Sequence, residues 1–208
     1  MDSRIALFGS SFDPPTGLGG HAGIVRYLAK RFSKVWLVPV FQHPFSTKRQ
    51  NVSFEDKLAM LRLAFDELGS TVWVCDVERE MFLERKNEVF GTLDVLEHLQ
   101  RQHPNERFVF VMGGDTLLDL GKGKWRRSAE LLASGDFLGV SRAGVEHGDD
   151  DKDALSRFAK LELVNVPGLG HVSSSDVRQR LGNGESVADL LDLRVVDYIH
   201  RHGLYGKI

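Results

Sequence analysis

The sequence lacks several features that would point to particular classes of protein. Cys75 is the only cysteine in 208 residues, so no internal disulfide can form, which fits a reducing cytoplasm. No apolar run reaches the roughly 18–20 residues needed to span a bilayer, and residues 1–8 are too short and too mixed for a signal peptide. A cytoplasmic location is therefore expected.

The sequence also lacks a large excess of charge of one sign. The 27 Lys and Arg residues nearly balance the 29 Asp and Glu residues, and the net charge of −2 gives no electrostatic reason to expect binding to nucleic acid or a membrane. Neither a GxxxxGK[ST] loop nor a GxGxxG fingerprint occurs. The eight histidines are scattered, which argues against a metal hydrolase. A phosphate-rich small substrate stays compatible, because a few local donors can bind it.

What the chain does contain is a regular alternation of short apolar runs and amphipathic segments. The apolar runs predict buried strands at Arg4–Phe8, Val35–Val40, Val72–Cys75, Arg107–Met112, Phe137–Val140 and Leu161–Val166. The amphipathic segments predict helices at Gly20–Phe32, Phe54–Leu68, Thr92–Gln102, Trp125–Ser134, Ser174–Asn183 and Ala188–His202. This order predicts an α/β fold with a doubly wound parallel sheet. We expect a single domain, residues 1–208, in which about residues 174–208 form a C-terminal helical portion, and a solvated acidic loop at Glu146–Asp153.

The loop after the first predicted strand is the first candidate for a site. Gly9–His21 reads GSSFDPPTGLGGH and opens a helix. Glycine and serine let main-chain N–H groups approach a phosphate, and the following helix offers its positive end. His21 would stand on the first turn and donate to the same anion. The alternative is a Pro/Gly turn that only caps the helix.

Two further segments after predicted strands have the same character. In VSSSDVR, Ser173 and Ser174 precede a helix and Arg178 lies about one turn inside it, where its guanidinium can grip phosphate oxygens; an ordinary helix cap is the alternative. Gly113-Gly114-Asp115 permits close backbone approach and adds an acceptor for a ribose. Trp125 offers an indole that stacks on an aromatic ring, or else a core residue. Together these segments favour a nucleotide site.

These segments also carry a resemblance. GSSFDPP…GGH resembles the (H/T)xGH signature loop of the nucleotidyltransferase superfamily, and VSSSDVR resembles its ISSTxIR element. VWLVPVFQHPFSTK, DKLAMLRLAF, GTLDVLEHL, FVFVMGGDTLLDLGKGKW and VVDYIHRHGLYG follow in the order found in nicotinate/nicotinamide mononucleotide adenylyltransferases. The resemblance implies a Rossmann-like nucleotidyltransferase fold. It also implies transfer of AMP from ATP to a pyridine mononucleotide, with release of pyrophosphate, in NAD biosynthesis.

The resemblance assigns roles to individual residues. Those matching the ATP-binding positions are Gly9, Ser10, Ser11, Phe12, His21, Gly113, Asp115, Ser173, Ser174 and Arg178. Thr92 matches a threonine beside the mononucleotide, and Trp125 matches a tryptophan that stacks on the pyridine ring. The catalytic positions fall on His21, Arg178, Thr16 and Lys48, where Lys48 matches a basic residue near the phosphates. No protein ligand for a metal is implied, since Mg²⁺ would be held mainly by ATP oxygens and water.

The signature loop departs from the family pattern. Thr16 takes the first position of the motif, but His21 comes two residues later than expected. Either two residues are inserted into the phosphate loop, or one of the two usual donors is missing. Gly91 also stands where an aromatic residue often precedes the threonine. Three alternatives follow: phosphopantetheine as the acceptor, cytidylyl transfer, and a nucleotide-binding protein with impaired catalysis. The family also suggests a homo-oligomer.

Overall fold

The computed structural model describes residues 1–41, 51–85, 90–141, 148–170 and 172–206. Within these residues the chain forms one six-stranded sheet in which every pair of neighbouring strands is parallel. The strands are β1 (Asp2–Ser10), β2 (Phe32–Pro39), β3 (Val72–Val74), β4 (Phe108–Gly113), β5 (Phe137–Ser141) and β6 (Leu161–Asn165). Each corresponds to one of the six predicted strands, so the predicted sheet is confirmed.

The strand order is β3-β2-β1-β4-β5-β6. The chain therefore builds the sheet outward from β1 in one direction, then returns to add β4, β5 and β6 on the other side. Phe8 of β1 pairs with Leu37 of β2 and with Val111 of β4, so β1 lies at the centre of the sheet. Open α/β sheets bind ligands at such a reversal, outside the carboxyl ends of the strands.

Helices connect the strands and cover both faces of the sheet. They are α1 (His21–Arg31), α2 (Phe54–Phe65), α3 (Val77–Glu84), α4 (Thr92–Gln102), α5 (Gly114–Gly121), α6 (Ser128–Ser134), α7 (Asp149–Ser156), α8 (Ser174–Gly182) and α9 (Leu193–Arg201). A 3₁₀ segment, Asp66–Thr71, leads from α2 into β3. No helix among the described residues is long and apolar enough to cross a membrane.

Two separate apolar clusters pack against opposite faces of the sheet. Alternate β1 residues divide between them, with Ala6 and Phe8 in one cluster and Ile5 and Leu7 in the other. Successive side chains of a strand point to opposite faces, and all four of these are buried. The central strand is thus covered by helices on both sides, which confirms the doubly wound α/β fold.

The structure corrects three local predictions. Gly114 begins α5, so the segment expected to be a loop after β4 is already helical. The acidic segment predicted as a loop is in part helix α7, whose first turn carries Asp149, Asp150 and Asp151. Carboxylates in a first turn stabilise a helix through its dipole. Helix α3 was not predicted either, because it is short and its two buried residues, Val77 and Met81, do not repeat often enough to make a periodic pattern.

Candidate active site

The candidate site lies at the carboxyl end of β1, beside the carboxyl end of β4. Ser10 ends β1 and starts the glycine- and serine-rich loop, and Gly113 ends the neighbouring strand. His21 begins α1 immediately after this loop. Two of the segments singled out in the sequence therefore meet at the point where the strand order reverses, as the doubly wound fold predicts.

A network of hydrogen bonds joins Ser10, Thr16 and His21. The Thr16 main-chain N–H donates to His21 Nδ1 at 3.0 Å, and the Thr16 hydroxyl lies 2.9 Å from the same nitrogen. The Thr16 hydroxyl oxygen also accepts from the His21 main-chain N–H at 2.9 Å. On the other side of the ring, His21 Nε2 lies 3.0 Å from Ser10 Oγ. Thr16 and His21 thus meet although five positions separate them, which favours the inserted-loop alternative over a missing donor.

The additional residues form a turn that packs against the C-terminal part of the chain. The Gly17 N–H donates to the Leu190 carbonyl at 2.7 Å, and the Gly170 N–H donates to the Gly19 carbonyl at 2.9 Å. A Cβ atom on Gly20 would lie 2.2 Å from Thr16 Oγ1, so only glycine allows Thr16 to reach His21. The turn is thus accommodated without displacing the histidine.

The electrostatics of His21 favour a neutral ring. Burial lowers the pKa of His21 from 6.5 to about 4. Because Nδ1 accepts from the Thr16 N–H, the ring proton lies on Nε2, the nitrogen that faces Ser10. The ring also packs against Phe12, with the ring centres 4.8 Å apart. His21 therefore directs its one N–H donor at Ser10 Oγ, at the carboxyl end of β1, and a phosphate that replaced this partner would raise the pKa of His21.

The start of α8 lies against the same loop. The Ser174 hydroxyl donates to the Pro14 carbonyl at 2.8 Å, and Arg178 Nη1 donates to the Asp13 carbonyl at 2.6 Å. The structure thus brings five predicted residues together in what we call the β1 side of the site: Ser10, Thr16, His21, Ser174 and Arg178. The positive end of α8 and the Arg178 guanidinium suit the binding of an anion there.

Ser173 has a different role in the structure from its neighbour. Its hydroxyl accepts from the Asp176 main-chain N–H at 3.2 Å and donates to the Asp176 carboxylate at 2.7 Å. Its own N–H donates to that carboxylate at 3.2 Å. This reciprocal pairing is a capping box, which was the alternative considered for this segment. Ser173 therefore stabilises the start of α8, and contact with a ligand would require its donors to leave Asp176.

The two residues predicted to contact the mononucleotide, Thr92 and Trp125, lie on what we call the α4–α6 side, which also includes Asp94 and Arg127. Thr92 is the first residue of α4. Trp125 is half-buried against the apolar cluster that contains Ile5 and Leu7. Arg127 Nη1 lies 3.3 Å from the carboxylate of buried Asp94, and this ion pair holds the Trp125 segment next to the start of α4. Thr92 and Trp125 are thus brought to the same region.

Two further predicted residues have no part in these contacts: one is exposed, and the other is not among the described residues. Asp115 is exposed in the first turn of α5. Lys48 lies outside the described residues. The described residues contain no group of three or more His, Cys, Asp and Glu side chains that could hold a metal ion.

Several buried charged residues near the site were missed in the sequence. Asp13 is 4% exposed, and its carboxylate accepts from the Tyr205 hydroxyl at 2.7 Å and from Asn51 Nδ2 at 2.8 Å. Lys57 is 1% exposed and donates to the Val40 carbonyl at 2.9 Å, at the end of β2. The sequence signal available was the position of Asp13 inside a Pro-rich loop, and an acidic residue in such a loop is equally typical of an exposed turn.

Glu78 was also missed. Burial raises the pKa of Glu78 from 4.5 to about 7, opposed by a hydrogen bond from the Phe41 N–H and by the charge of Lys57. The bond from Phe41 is 2.8 Å long. These groups hold the chain where it leaves β2, next to the site.

Known proteins match this chain over nearly all its length. Residues 7–180 match the model of the Cytidylyltransferase-like family. A probable nicotinate-nucleotide adenylyltransferase from Halalkalibacterium halodurans is 33% identical over 207 residues, covering 97% of this chain and 91% of the relative. One from Anaeromyxobacter dehalogenans is 34% identical over 202 residues, covering 97% and 96%.

A solved structure extends the comparison to the fold. The nicotinic acid mononucleotide adenylyltransferase of Plasmodium falciparum, solved in complex with NaAD, superposes with a TM-score of 0.78 at 23% identity, covering 98% of each chain. The chain belongs to the cytidylyltransferase-like family and, within it, to the nicotinate-nucleotide adenylyltransferases.

Proposed function

We propose that this protein transfers the AMP moiety of ATP to nicotinate mononucleotide and releases pyrophosphate. The observation that carries the proposal is the loop after β1, to which His21 is bonded through Ser10 and Thr16 and Arg178 through the Asp13 carbonyl. The first turn of α8 is bonded to the same loop through Ser174. These groups suit the phosphates of a nucleotide.

The chemistry requires alignment rather than a protein nucleophile. The acceptor phosphate attacks the α-phosphorus of ATP, the bond from that phosphorus to the β-phosphate oxygen breaks, and pyrophosphate leaves. His21 donates its Nε2 proton as a hydrogen bond to the phosphates, and Arg178 neutralises charge that develops on the leaving group. Ser10, Ser11 and Ser174 supply further donors. Lys48 would add a cation from outside the described residues.

The acceptor would lie on the α4–α6 side. Trp125 would stack on the pyridine ring, and Thr92 would contact the mononucleotide at the start of α4. The relatives are named as nicotinate-nucleotide enzymes, which supports the acid over the amide. Gly113 and Asp115, at the end of β4, would face the adenosine between the two sides.

Mg²⁺ would enter with ATP as part of the substrate. The described residues offer no carboxylate cluster for a protein-bound ion, and a site that receives MgATP needs none, because ATP oxygens and water fill the coordination shell. The chain's own contribution is to orient the triphosphate through His21, Arg178 and the loop N–H groups.

The experiment that tests the proposal measures pyrophosphate release from ATP and Mg²⁺ with a panel of acceptors: nicotinate mononucleotide, nicotinamide mononucleotide, phosphopantetheine and sugar phosphates. We expect turnover to be fastest with nicotinate mononucleotide. Turnover with a different acceptor alone would contradict nicotinate mononucleotide as the acceptor but would support nucleotidyl transfer as the reaction. ATP binding with no turnover on any acceptor would contradict the assignment as an enzyme and favour a binding protein with impaired catalysis. The cytoplasmic location, the single domain and a homo-oligomer stay predictions.

A further inference from the structure

A buried carboxylate links the end of the chain to the loop of the site. Asp13 lies within the loop after β1 and is 4% exposed. One of its carboxylate oxygens accepts from the Tyr205 hydroxyl at 2.7 Å, and the other accepts from Asn51 Nδ2 at 2.8 Å and the Asn51 N–H at 3.3 Å. The charge of buried Lys57 also acts on Asp13. The Asp13 side chain is therefore held on both oxygens.

The main chain of the same residue holds Arg178. The Asp13 carbonyl accepts from Arg178 Nη1 at 2.6 Å, and the next carbonyl, of Pro14, accepts from the Ser174 hydroxyl at 2.8 Å. The side chain of Asp13 thus faces the C-terminal tail while its carbonyl faces α8. Any rotation of residue 13 would move the acceptor to which the guanidinium is tied.

Both ends of this connection have an unusual backbone. Phe12, directly before Asp13, has φ +46°, and Tyr205 has φ +61°. The left-handed region is costly for aromatic residues, which have a Cβ atom, and it persists only where surrounding contacts impose it. Phe12 is fully buried against the His21 ring. Such strain is typical of functional sites, where it fixes one geometry.

The tail reaches the site by a short path. Helix α9 ends at Arg201, and the Leu204 N–H donates to the Ile199 carbonyl at 3.0 Å. Tyr205 follows at once. Burial and the nearby Asp13 carboxylate raise the pKa of Tyr205, so its hydroxyl keeps its proton at working pH and always donates.

We propose that Tyr205 is a positioning residue for Arg178: its hydroxyl holds Asp13 so that the Asp13 carbonyl keeps the guanidinium directed at the triphosphate. The inference rests on the proposed function, in which Arg178 binds ATP phosphates. It assigns Tyr205, in the segment after α9, a part in the geometry of a site formed mainly by the loop after β1.

The chain provides a matched control for the test. Tyr198, in α9, donates to the Asp56 carboxylate at 2.8 Å, in the same chemical arrangement but with an acceptor in α2 rather than in the loop. Tyr205→Phe and Tyr198→Phe each remove one hydroxyl. We expect Tyr205→Phe to lower kcat/KM for ATP by about ten-fold, the effect of one hydrogen bond to a charged group, with KM for the mononucleotide unchanged. Tyr198→Phe should stay within about two-fold of wild type, because its hydroxyl has no contact with the loop.

A double-mutant cycle with Arg178→Lys separates positioning from a general loss of structure. If Tyr205 acts through Arg178, Tyr205→Phe should cost little further in the Arg178→Lys background, whereas independent losses would multiply. Multiplicative losses, or equal effects of the two tyrosine variants on active enzyme, would overturn the inference. An inactive wild type would contradict the proposed function instead.

A second variant keeps the inference testable if Tyr205→Phe does not fold. Asn51 is exposed and donates to the other Asp13 oxygen, so Asn51→Ala removes a restraint on the same carboxylate with little effect on packing. We expect it to lower kcat/KM for ATP in the same direction, by a few-fold, with an unchanged melting temperature. No change in kcat/KM for ATP would contradict the role of Asp13 in the inference.

Discussion

The two sides of the site are built in different ways. On the β1 side, Ser10, Thr16, His21 and Arg178 are linked by hydrogen bonds to one another or to the loop, and the donors are oriented before any ligand arrives. On the α4–α6 side, the ion pair between Arg127 and Asp94 joins the two segments, and the main-chain N–H of Trp125 donates to the Ser128 hydroxyl at 3.0 Å.

This difference indicates that the two sides have different roles in the reaction. Oriented donors stabilise charge with little reorganisation, so the β1 side suits the step in which charge moves between phosphates. The half-buried indole ring of Trp125 suits stacking on a flat ring of a ligand. Variants on the β1 side should therefore change kcat and the use of ATP, and variants on the α4–α6 side should change the affinity for the acceptor.

The largest effect is expected at His21. His21→Ala should lower kcat by about 10²–10³-fold, because it removes a fixed donor to the phosphates, as in the loss of an oxyanion-type hydrogen bond. Steady-state kinetics and circular dichroism would measure turnover and folding together. His200→Ala, at an exposed position of α9, is the control and should keep full turnover. Near-normal turnover in folded His21→Ala would remove His21 from the mechanism.

Arg178 should give the next largest effect. Arg178→Ala should lower kcat/KM for ATP by about 10²-fold through loss of a charge-assisted contact, with KM for the mononucleotide nearly unchanged. Arg180 lies in the same helix but pairs with the Asp189 carboxylate at 3.5 Å rather than with the Asp13 carbonyl. Arg180→Ala should change kcat/KM for ATP less than about two-fold, given the small contribution of an exposed ion pair. Equal losses in both variants would mean that α8 matters only as a helix.

Trp125 tests the other side of the comparison. Trp125→Ala should raise KM for nicotinate mononucleotide by about ten-fold, the effect of losing one stacking contact, with KM for ATP unchanged. Trp73→Ala provides the control, since Trp73 is 47% exposed on β3. An equal rise of KM for both substrates after Trp125→Ala would contradict the division between the two sides.

The smallest effects concern the dependence of stability on pH. His21 has its pKa lowered from 6.5 to about 4, so the unfolded chain binds the extra proton between these values. The contribution of the neutral His21 ring to the free energy of unfolding is complete above pH 6.5. It is lost as the pH falls toward 4, by at most about 3 kcal/mol. His21→Asn should remove this loss, as measured by urea unfolding between pH 4.5 and 8. An identical pH dependence in the two proteins would contradict a ring that the fold keeps neutral.

Glu78 should act with the opposite sign. Its pKa is raised from 4.5 to about 7, so the folded protein binds the extra proton and stability falls as the pH rises through this range. Glu78→Gln should therefore gain stability relative to wild type as the pH rises from 4.5 to 8, by at most about 3 kcal/mol. A constant difference between the two proteins across this range would contradict the raised pKa.

The sequence predicted the sheet well because buried parallel strands leave a local signal. Runs such as Arg107–Met112 are apolar at nearly every position, and no partner is needed to recognise them. Helix α5 was missed because Gly113 and Gly114 are typical of a loop. Helix α7 was missed because its charge indicated solvent rather than a favourable first turn.

The residues of the candidate site also differ in whether a local sequence signal identifies them. Ser10, Thr16, His21, Ser174 and Arg178 were identified from local motifs, and the structure brings them together. Asp13 and Tyr205 lie 192 positions apart, and nothing near either one shows that they meet. Burial of a charged group depends on distant partners, so a single sequence carries little signal for it.

Transfer of AMP onto nicotinate mononucleotide is tested most directly with labelled ATP. With ATP labelled at the α-phosphate, Mg²⁺ and nicotinate mononucleotide, all label should appear in a dinucleotide, while label at the γ-phosphate should appear in pyrophosphate. Label from the α-phosphate in free AMP alone, or γ-label in a phosphorylated acceptor, would contradict this transfer.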